Sequence, residues 1–182
     1  MNRAFFLDRD GTLNVDYNYV HKPSEWTWCE GAIDAIKWMN NHNFKVVVVT
    51  NQSGIVKGKY TLDDVLTLHN CVDEQLKEHG THIDSWYFAP HHPDFENKYM
   101  AEHRKPGTGM FEAAIEQHNI DPRKSYMAGD KMSDLEPAVK LGITPFAINS
   151  RHQNKWHPDW LQKHDIKRYN NIGEVISYLN TT

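Results

Sequence analysis

Hydrophobic residues along the chain fall into short unbroken runs separated by longer periodic stretches. Residues 4–7 (Ala-Phe-Phe-Leu) and 46–49 (four valines) are continuously apolar, which predicts strands covered on both faces. Both runs stop abruptly, at Asp8-Arg9-Asp10-Gly11 and at Thr50-Asn51-Gln52-Ser53-Gly54. Further strands are predicted over 83–89, 125–128 and 143–148. Between them lie helical patterns. Ile33, Ile36 and Met39 share a face over 32–41, and Leu62, Val65, Leu66, His69, Val72 and Leu76 form a longer stripe with Thr61 as cap and Gly80 as stop. Met110, Phe111, Ala114 and Ile115 mark another helix. Leu135, Ala138, Val139 and Leu141 mark the next, closed by Gly142, and a last one covers 173–179. Strands alternating with helices predict a three-layer, Rossmann-like α/β domain with a mainly parallel central sheet.

Two stretches interrupt the alternation. Residues 14–28 carry Tyr17, Tyr19, His21, Trp26 and Trp28, and residues 90–106 form a polar, His-rich loop. Such insertions are expected above the carboxyl ends of the strands, where open α/β sheets bind ligands. The tryptophans are expected to pack rather than to bind. Residues 150–165, with His152, His157 and His164, are expected to form a solvated surface connection.

Composition narrows the class. The chain has 182 residues, 39% apolar and 24% charged, as expected of one globular domain. A net charge of −4 offers no basic stripe for nucleic acid or an anionic membrane, so an anionic ligand requires locally placed Lys and Arg. Neither a signal segment nor an apolar run long enough for a bilayer is evident. Two cysteines, Cys29 and Cys71, are too few for a disulfide framework and read as packed apolar side chains. A cytoplasmic monomer is expected.

The chemistry lies at the predicted strand ends. Asp8 and Asp10 can converge on one hard cation, with Gly11 permitting the tight turn that follows. Thr50 and Asn51 offer a hydroxyl and an amide to phosphate oxygens, Arg104 and Lys105 supply cations, and Asp130 and Asp134 add carboxylates at a fourth tip. Asp-x-Asp alone is equally well explained as a solvated turn. Four polar strand ends of complementary kind point to one phosphate-handling site.

Taken in order, Asp-x-Asp-Gly-Thr, Thr-Asn-Gln-Ser-Gly, Arg-Lys-Pro and Gly-Asp-Lys-x-x-Asp resemble the four motifs of the haloacid dehalogenase superfamily in its phosphatase branch. The flanks Phe-Leu-Asp-Arg-Asp-Gly-Thr-Leu-Asn, Asn18-Tyr19-Val20-His21 and Val-Thr-Asn-Gln-Ser-Gly-Ile are similar to the subgroup of heptose 1,7-bisphosphate 7-phosphatases and histidinol-phosphate phosphatases, which lacks a large cap domain. The resemblance implies a magnesium-dependent phosphatase acting on a small phosphorylated sugar. Asp8 is then the nucleophile, and Asp10 the acid and base. Thr50 and Lys105 steady the phosphoryl group. Asp8, the Asp10 carbonyl and Asp130 hold magnesium, with Asp134 behind them. Asp16, Tyr17, Asn18, Tyr19, Asn51, Gln52, Ser53, Arg104 and Lys131 contact substrate. Relatives of this kind usually carry a structural zinc on a Cys-x-His and a Cys-x-Cys pair; here those positions read Ala89-Pro90-His91 and Ala101-Glu102-His103. No zinc is therefore expected, with His91 and His103, joined by His92 or Asp94, as the residual candidates. A histidinol-phosphate phosphatase, a polynucleotide 3′-phosphatase and a non-catalytic binder of phosphorylated ligands are the alternatives.

Overall fold

The computed structural model describes residues 1–95, 102–151 and 155–182; Ala101 and His152 lie outside the described residues. One six-stranded sheet contains β1 (Arg3–Leu7), β2 (Phe44–Asn51), β3 (Ser85–Ala89), β4 (Tyr126–Gly129), β5 (Thr144–Ile148) and β6 (Arg168–Tyr169), ordered β3-β2-β1-β4-β5-β6. Every pairing is parallel. The helices are α1 (Ala32–Asn41), α2 (Leu62–Glu78), α3 (Gly109–His118), α4 (Met132–Leu141), α5 (Pro158–Lys163) and α6 (Ile172–Leu179). None is long and apolar enough to cross a membrane.

The unbroken apolar run of β1 has a direct cause. Phe5 and Leu7 enter a cluster with α1, α2 and α6, whereas Ala4 and Phe6 pack on the other face with α3 and α4. Successive side chains point to opposite faces, so a strand covered on both sides needs apolar residues throughout. Phe6 meets Phe111 of α3 with ring centroids 5.2 Å apart.

Strand order reverses at β1, whose neighbours β2 and β4 lie on opposite sides. Leu7 is in register with both Val48 and Ala128, so Asp8 emerges level with Gly129 at the end of β4 and with Val49, two residues before the end of β2. Its N–H donates to the Ala128 carbonyl at 3.0 Å. Open parallel sheets bind ligands at this kind of reversal.

The caps of α2 and α4 follow the sequence. Thr61 accepts from the Asp64 N–H while Asp64 accepts from the Thr61 N–H, a reciprocal box. Gly80 and Gly142 both take positive φ just past their helices.

Three expectations change. The buried face of α2 consists of Val65, Leu68, His69, Val72 and Leu76, whereas Leu62 and Leu66 are 48% and 44% exposed. The face is rotated because Leu68, absent from the predicted stripe, follows Val65 by three residues. Residues 150–165 are not merely a solvated connection: they contain α5, whose Leu161 is buried with Ile166 against Leu135 and Ala147. Strand β6 is only two residues long and carries no run that periodicity could detect.

The rotated face is testable by chemical denaturation. Leu68→Ala should cost about 2–5 kcal/mol, the range for emptying a buried leucine site, while Leu66→Ala should stay within about 0.5 kcal/mol. Equal losses at the two positions would contradict the assigned face.

Candidate active site

Gly11 turns the chain directly after β1. It has a φ of 92°, and its N–H donates to the Asn14 carbonyl at 2.8 Å. A Cβ at this position would strike the Asp130 carboxylate, so both the backbone conformation and the close approach require glycine. Asp130 follows β4, and Asp134 lies in the first turn of α4, where its Oδ2 accepts from the Lys131 N–H at 2.9 Å.

Three carboxylates thereby converge. Oxygens of Asp8, Asp130 and Asp134 lie within 4.8 Å of one another, and all three residues are buried. Lys105 stands among them. Its ammonium donates to Asp8 Oδ1 at 2.7 Å and to the Val49 carbonyl at 2.7 Å, and lies 2.6 Å from Asp134 Oδ1. Lys131 reaches Asp130 Oδ1 at 3.1 Å and stands 4.0 Å from Asp16 Oδ2.

The electrostatics follow from that crowding. Burial, reinforced by Asp134, raises the Asp8 pKa despite Lys105 and Lys131 nearby. Burial pushes Asp130 up to about 7, with Asp8 and Asp134 adding to the rise and Lys131 opposing it. Burial disfavours the Lys105 ammonium, but Asp134 and Asp8 outweigh it and hold the pKa above the ordinary lysine value. Three carboxylates facing two ammonium groups leave unbalanced negative charge in a buried place. A hard divalent cation taking oxygen ligands fits this donor set, with Asp8 and Asp130 as the expected ligands. Asp134, expected behind the metal, lies close enough to join the cluster and is also Lys105's ion-pair partner.

The Asp10 carboxylate lies outside that group. Four donors converge on the carboxylate: Arg9 Nε at 3.0 Å, Arg9 Nη2 at 2.9 Å, Asn14 Nδ2 at 3.0 Å and Gln52 Nε2 at 2.9 Å. Burial pushes its pKa up, but the Arg9 guanidinium and these hydrogen bonds outweigh burial and hold it below the usual carboxylate value.

A cavity of about 450 Å³ opens over Asp8, with Asp10, Thr50, Asn51, Ser53, Arg104, Lys105 and Lys131 in its wall. Asn51 donates through Nδ2 to the Lys105 carbonyl and accepts on Oδ1 from the Lys105 N–H, both at 3.0 Å. Its amide therefore clamps the lysine's backbone. Gln52, expected to touch substrate, is 1% exposed and does not line the cavity. It donates to Asp10 and to Thr50 Oγ1 and accepts from the Tyr60 hydroxyl at 2.6 Å. The side chain alternates on β2 and its continuation, which turns Gln52 inward where Ser53 faces the opening.

Asp16, Tyr17, Asn18 and Tyr19 are not in this cavity's wall. Asp16 accepts from the Asn18 N–H at 2.9 Å and lines a neighbouring hollow of about 230 Å³ with Gly11, Thr12 and Arg151. Tyr17 and Tyr19 are 46% and 43% exposed. The tryptophans of this segment pack, as expected, against the core cluster and edge to face with each other, at 5.1 Å. Cys29 is partly buried against the same cluster, and burial, with Asp130 and Asp10 nearby, raises its thiol pKa to about 12.

Sequence reasoning missed Arg9, His92 and Ser133. His92 and Ser133 line the cavity, and Arg9 is wholly buried. An arginine between two functional aspartates was the available signal for Arg9; His92 was read only as a zinc candidate. Among the described residues, neither His91, His92 nor His103 belongs to a group of three potential metal ligands. His92 Nδ1 instead accepts from the Asp94 N–H at 3.3 Å, and the His91 carbonyl accepts from Arg104 Nη1 at 2.9 Å.

Comparison with known proteins agrees with this geometry. The family described as polynucleotide kinase 3 phosphatase matches residues 3–166. Proteins named D-glycero-beta-D-manno-heptose-1,7-bisphosphate 7-phosphatase are 42% identical over 141 residues in Haemophilus influenzae, covering 76% of this chain and 77% of that protein. The Yersinia pestis protein of the same name is 43% identical over 143 residues, covering 77% and 76%. A crystal structure of D,D-heptose 1.7-bisphosphate phosphatase from B. bronchiseptica, complexed with magnesium and phosphate, superposes with a TM-score of 0.84 at 25% identity, covering 98% of each chain. A had-like phosphatase structure from Mesorhizobium loti gives 0.75 at 29% identity, over 90% of this chain and 84% of that one. With its strand-tip carboxylates, its buried lysine and its sheet order, the chain belongs to the polynucleotide kinase 3 phosphatase family of haloacid dehalogenase-type phosphatases.

Proposed function

We propose that this chain hydrolyses a phosphomonoester through an aspartyl-phosphate on Asp8, and that its substrate is a heptose 1,7-bisphosphate from which the 7-phosphate is removed. The observation that carries the chemistry is Lys105, pinned between Asp8 and Asp134 at 2.7 and 2.6 Å under an open cavity. The names of the relatives carry the substrate. Magnesium, when bound, supplies positive charge that offsets repulsion between the phosphoryl oxygens and the carboxylates.

The chain's own residues divide the remaining work. Asp8 attacks phosphorus, forming an O–P bond as the bond to the sugar oxygen breaks. Asp10, in its protonated form, gives its proton to that departing oxygen, then as a carboxylate takes a proton from the water that cleaves the aspartyl-phosphate. Lys105 and Thr50 hold the phosphoryl oxygens. Arg104, Lys131 and Ser53 bind the rest of the substrate, and the expected contacts at residues 16–19 close over it from the side.

Steady-state assays with magnesium should give the highest kcat/KM on the heptose 1,7-bisphosphate, above histidinol phosphate, a 3′-phosphorylated oligonucleotide and 4-nitrophenyl phosphate. A value no higher than for the aryl ester would defeat the substrate assignment, and preference for the oligonucleotide would favour the activity in the family's name.

Asp8→Asn should lower turnover at least about 1,000-fold while leaving a cooperative melt, since it removes the attacking group and little packing. A protein that only binds phosphorylated ligands would give no turnover before the change either.

Metal binding has its own readout. Magnesium at a hundredfold over its Kd should stabilise the wild type by about 2.7 kcal/mol by mass action, seen as a rise in Tm. Asp130→Asn should shrink that rise severely. A magnesium shift unaffected by the substitution would place the cation elsewhere.

A further inference from the structure

Arg9 is a cation buried without access to water, and it makes no contact with the cavity. Taking a charge out of water is costly unless the surroundings satisfy it. Here the Nε and Nη2 atoms of one planar fork hold both oxygens of Asp10, at 3.0 and 2.9 Å. Nη2 also donates to the Val20 carbonyl at 2.7 Å, and Nη1 lies 3.4 Å from His69 Nε2. Burial and the adjacent guanidinium push His69 down to about 3, so its ring is neutral and Nε2 can accept. His69 is stacked on Trp86 at 4.0 Å. One side chain thus joins Asp10 to the 14–28 segment and to α2.

A second route reaches the same carboxylate. Tyr60 donates to Gln52 Oε1 at 2.6 Å, and Gln52 Nε2 donates to Asp10 Oδ2 at 2.9 Å. The Tyr60 ring stacks on His21 at 5.1 Å and meets Tyr19 edge-on at 6.5 Å. Gly54 lies so close to that ring that a Cβ there would strike it. Both routes begin on the segment carrying the expected substrate contacts and end on the acid-base group.

We propose that Arg9, together with Tyr60 acting through Gln52, is a positioning residue that fixes the direction of the Asp10 carboxyl from the 14–28 segment. The proposal rests on the phosphatase reading of Asp8 and Asp10. Its consequence concerns the departing oxygen. As the Asp8–phosphorus bond forms and the phosphorus–oxygen bond of the substrate breaks, the electron pair stays on the leaving oxygen, and a sugar alkoxide then needs the Asp10 proton. A 4-nitrophenolate leaves as a stable anion and needs none. A misdirected Asp10 therefore penalises an alkyl ester selectively.

The test measures kcat/KM, which reports steps up to the first irreversible one, for wild type, Arg9→Lys and Tyr60→Phe with magnesium. The substrates are 4-nitrophenyl phosphate and the heptose 1,7-bisphosphate, or the fastest alkyl phosphate of the panel if the heptose ester is not turned over. Lysine keeps the charge but cannot span both Asp10 oxygens and the Val20 carbonyl. Arg9→Lys should lose roughly tenfold or more on the alkyl ester, a part of the 100- to 10,000-fold that general acid catalysis contributes, and less than about threefold on the aryl ester. Tyr60→Phe, which keeps the packed ring, should show the same selectivity with a smaller loss; it carries the test should Arg9→Lys fail to give a cooperative melt. Parallel losses on both esters, or no loss on either, would overturn the proposal. Failure of the wild type to hydrolyse any ester would instead refute the phosphatase reading.

Discussion

Mutual repulsion among carboxylates at the strand tips is the constraint on which this protein is organised. Oxygens of Asp8, Asp130 and Asp134 come within 4.8 Å, a separation at which two unit charges repel by roughly 3–4 kcal/mol at an effective dielectric near 20. Burial adds to the cost of keeping them ionised. The fold accepts this arrangement because parallel strands in register bring β1 and β4 to a common level, and Lys105 is inserted as partial compensation. The imbalance that remains is what makes the site receptive to a cation and to the phosphate that a cation can carry.

The same strand tip sets two neighbouring aspartates apart. Asp8 faces the open cavity and other carboxylates, and its pKa is raised. Asp10, two residues on, receives four hydrogen bonds and its pKa is lowered. These directions run opposite to the proposed roles of nucleophile for Asp8 and acid for Asp10; a divalent cation beside Asp8 would lower its pKa and a phosphate dianion beside Asp10 would raise that group's, so the roles call for both to be bound. The turn at Gly11 and the Arg9 fork create the difference over a distance of two residues.

Most of the architecture was legible because its signals are local. Continuous apolar runs identify β1 and β2, and a glycine just past each pattern closes α2 and α4. Motif residues at three strand ends, and the Arg-Lys-Pro ahead of α3, likewise point to Asp8, Thr50, Asp130 and Lys105. Other features depend on contacts that spacing does not encode. Leu66 and Leu68 are equally apolar, and only the packing of α2 decides which is buried. Strand β6 exists because β5 has an edge to offer two residues, and α5 because Leu161 and Ile166 find Leu135 and Ala147. Gln52 was expected to touch substrate because the resemblance implied contacts along the whole run from Asn51 to Ser53. Alternation carried past β2 points it inward to Asp10 and Tyr60 instead.

Lys105 is held in place by the sheet rather than by its own loop. Its ammonium must reach Asp8, 97 residues earlier in the chain. Its backbone is clamped in both directions by the Asn51 amide, and its ammonium is tied to the Val49 carbonyl, so three of its contacts come from β2 itself. Arg104 fastens the incoming strand of the loop through the His91 carbonyl. Lys105 is thus located from the sheet side. Substitutions in the loop distal to Arg104 then act on the cavity wall, through residues such as His92, before they act on the reacting atoms. Change in such a loop can alter which phosphate ester is accepted while leaving intact the machinery that cleaves it.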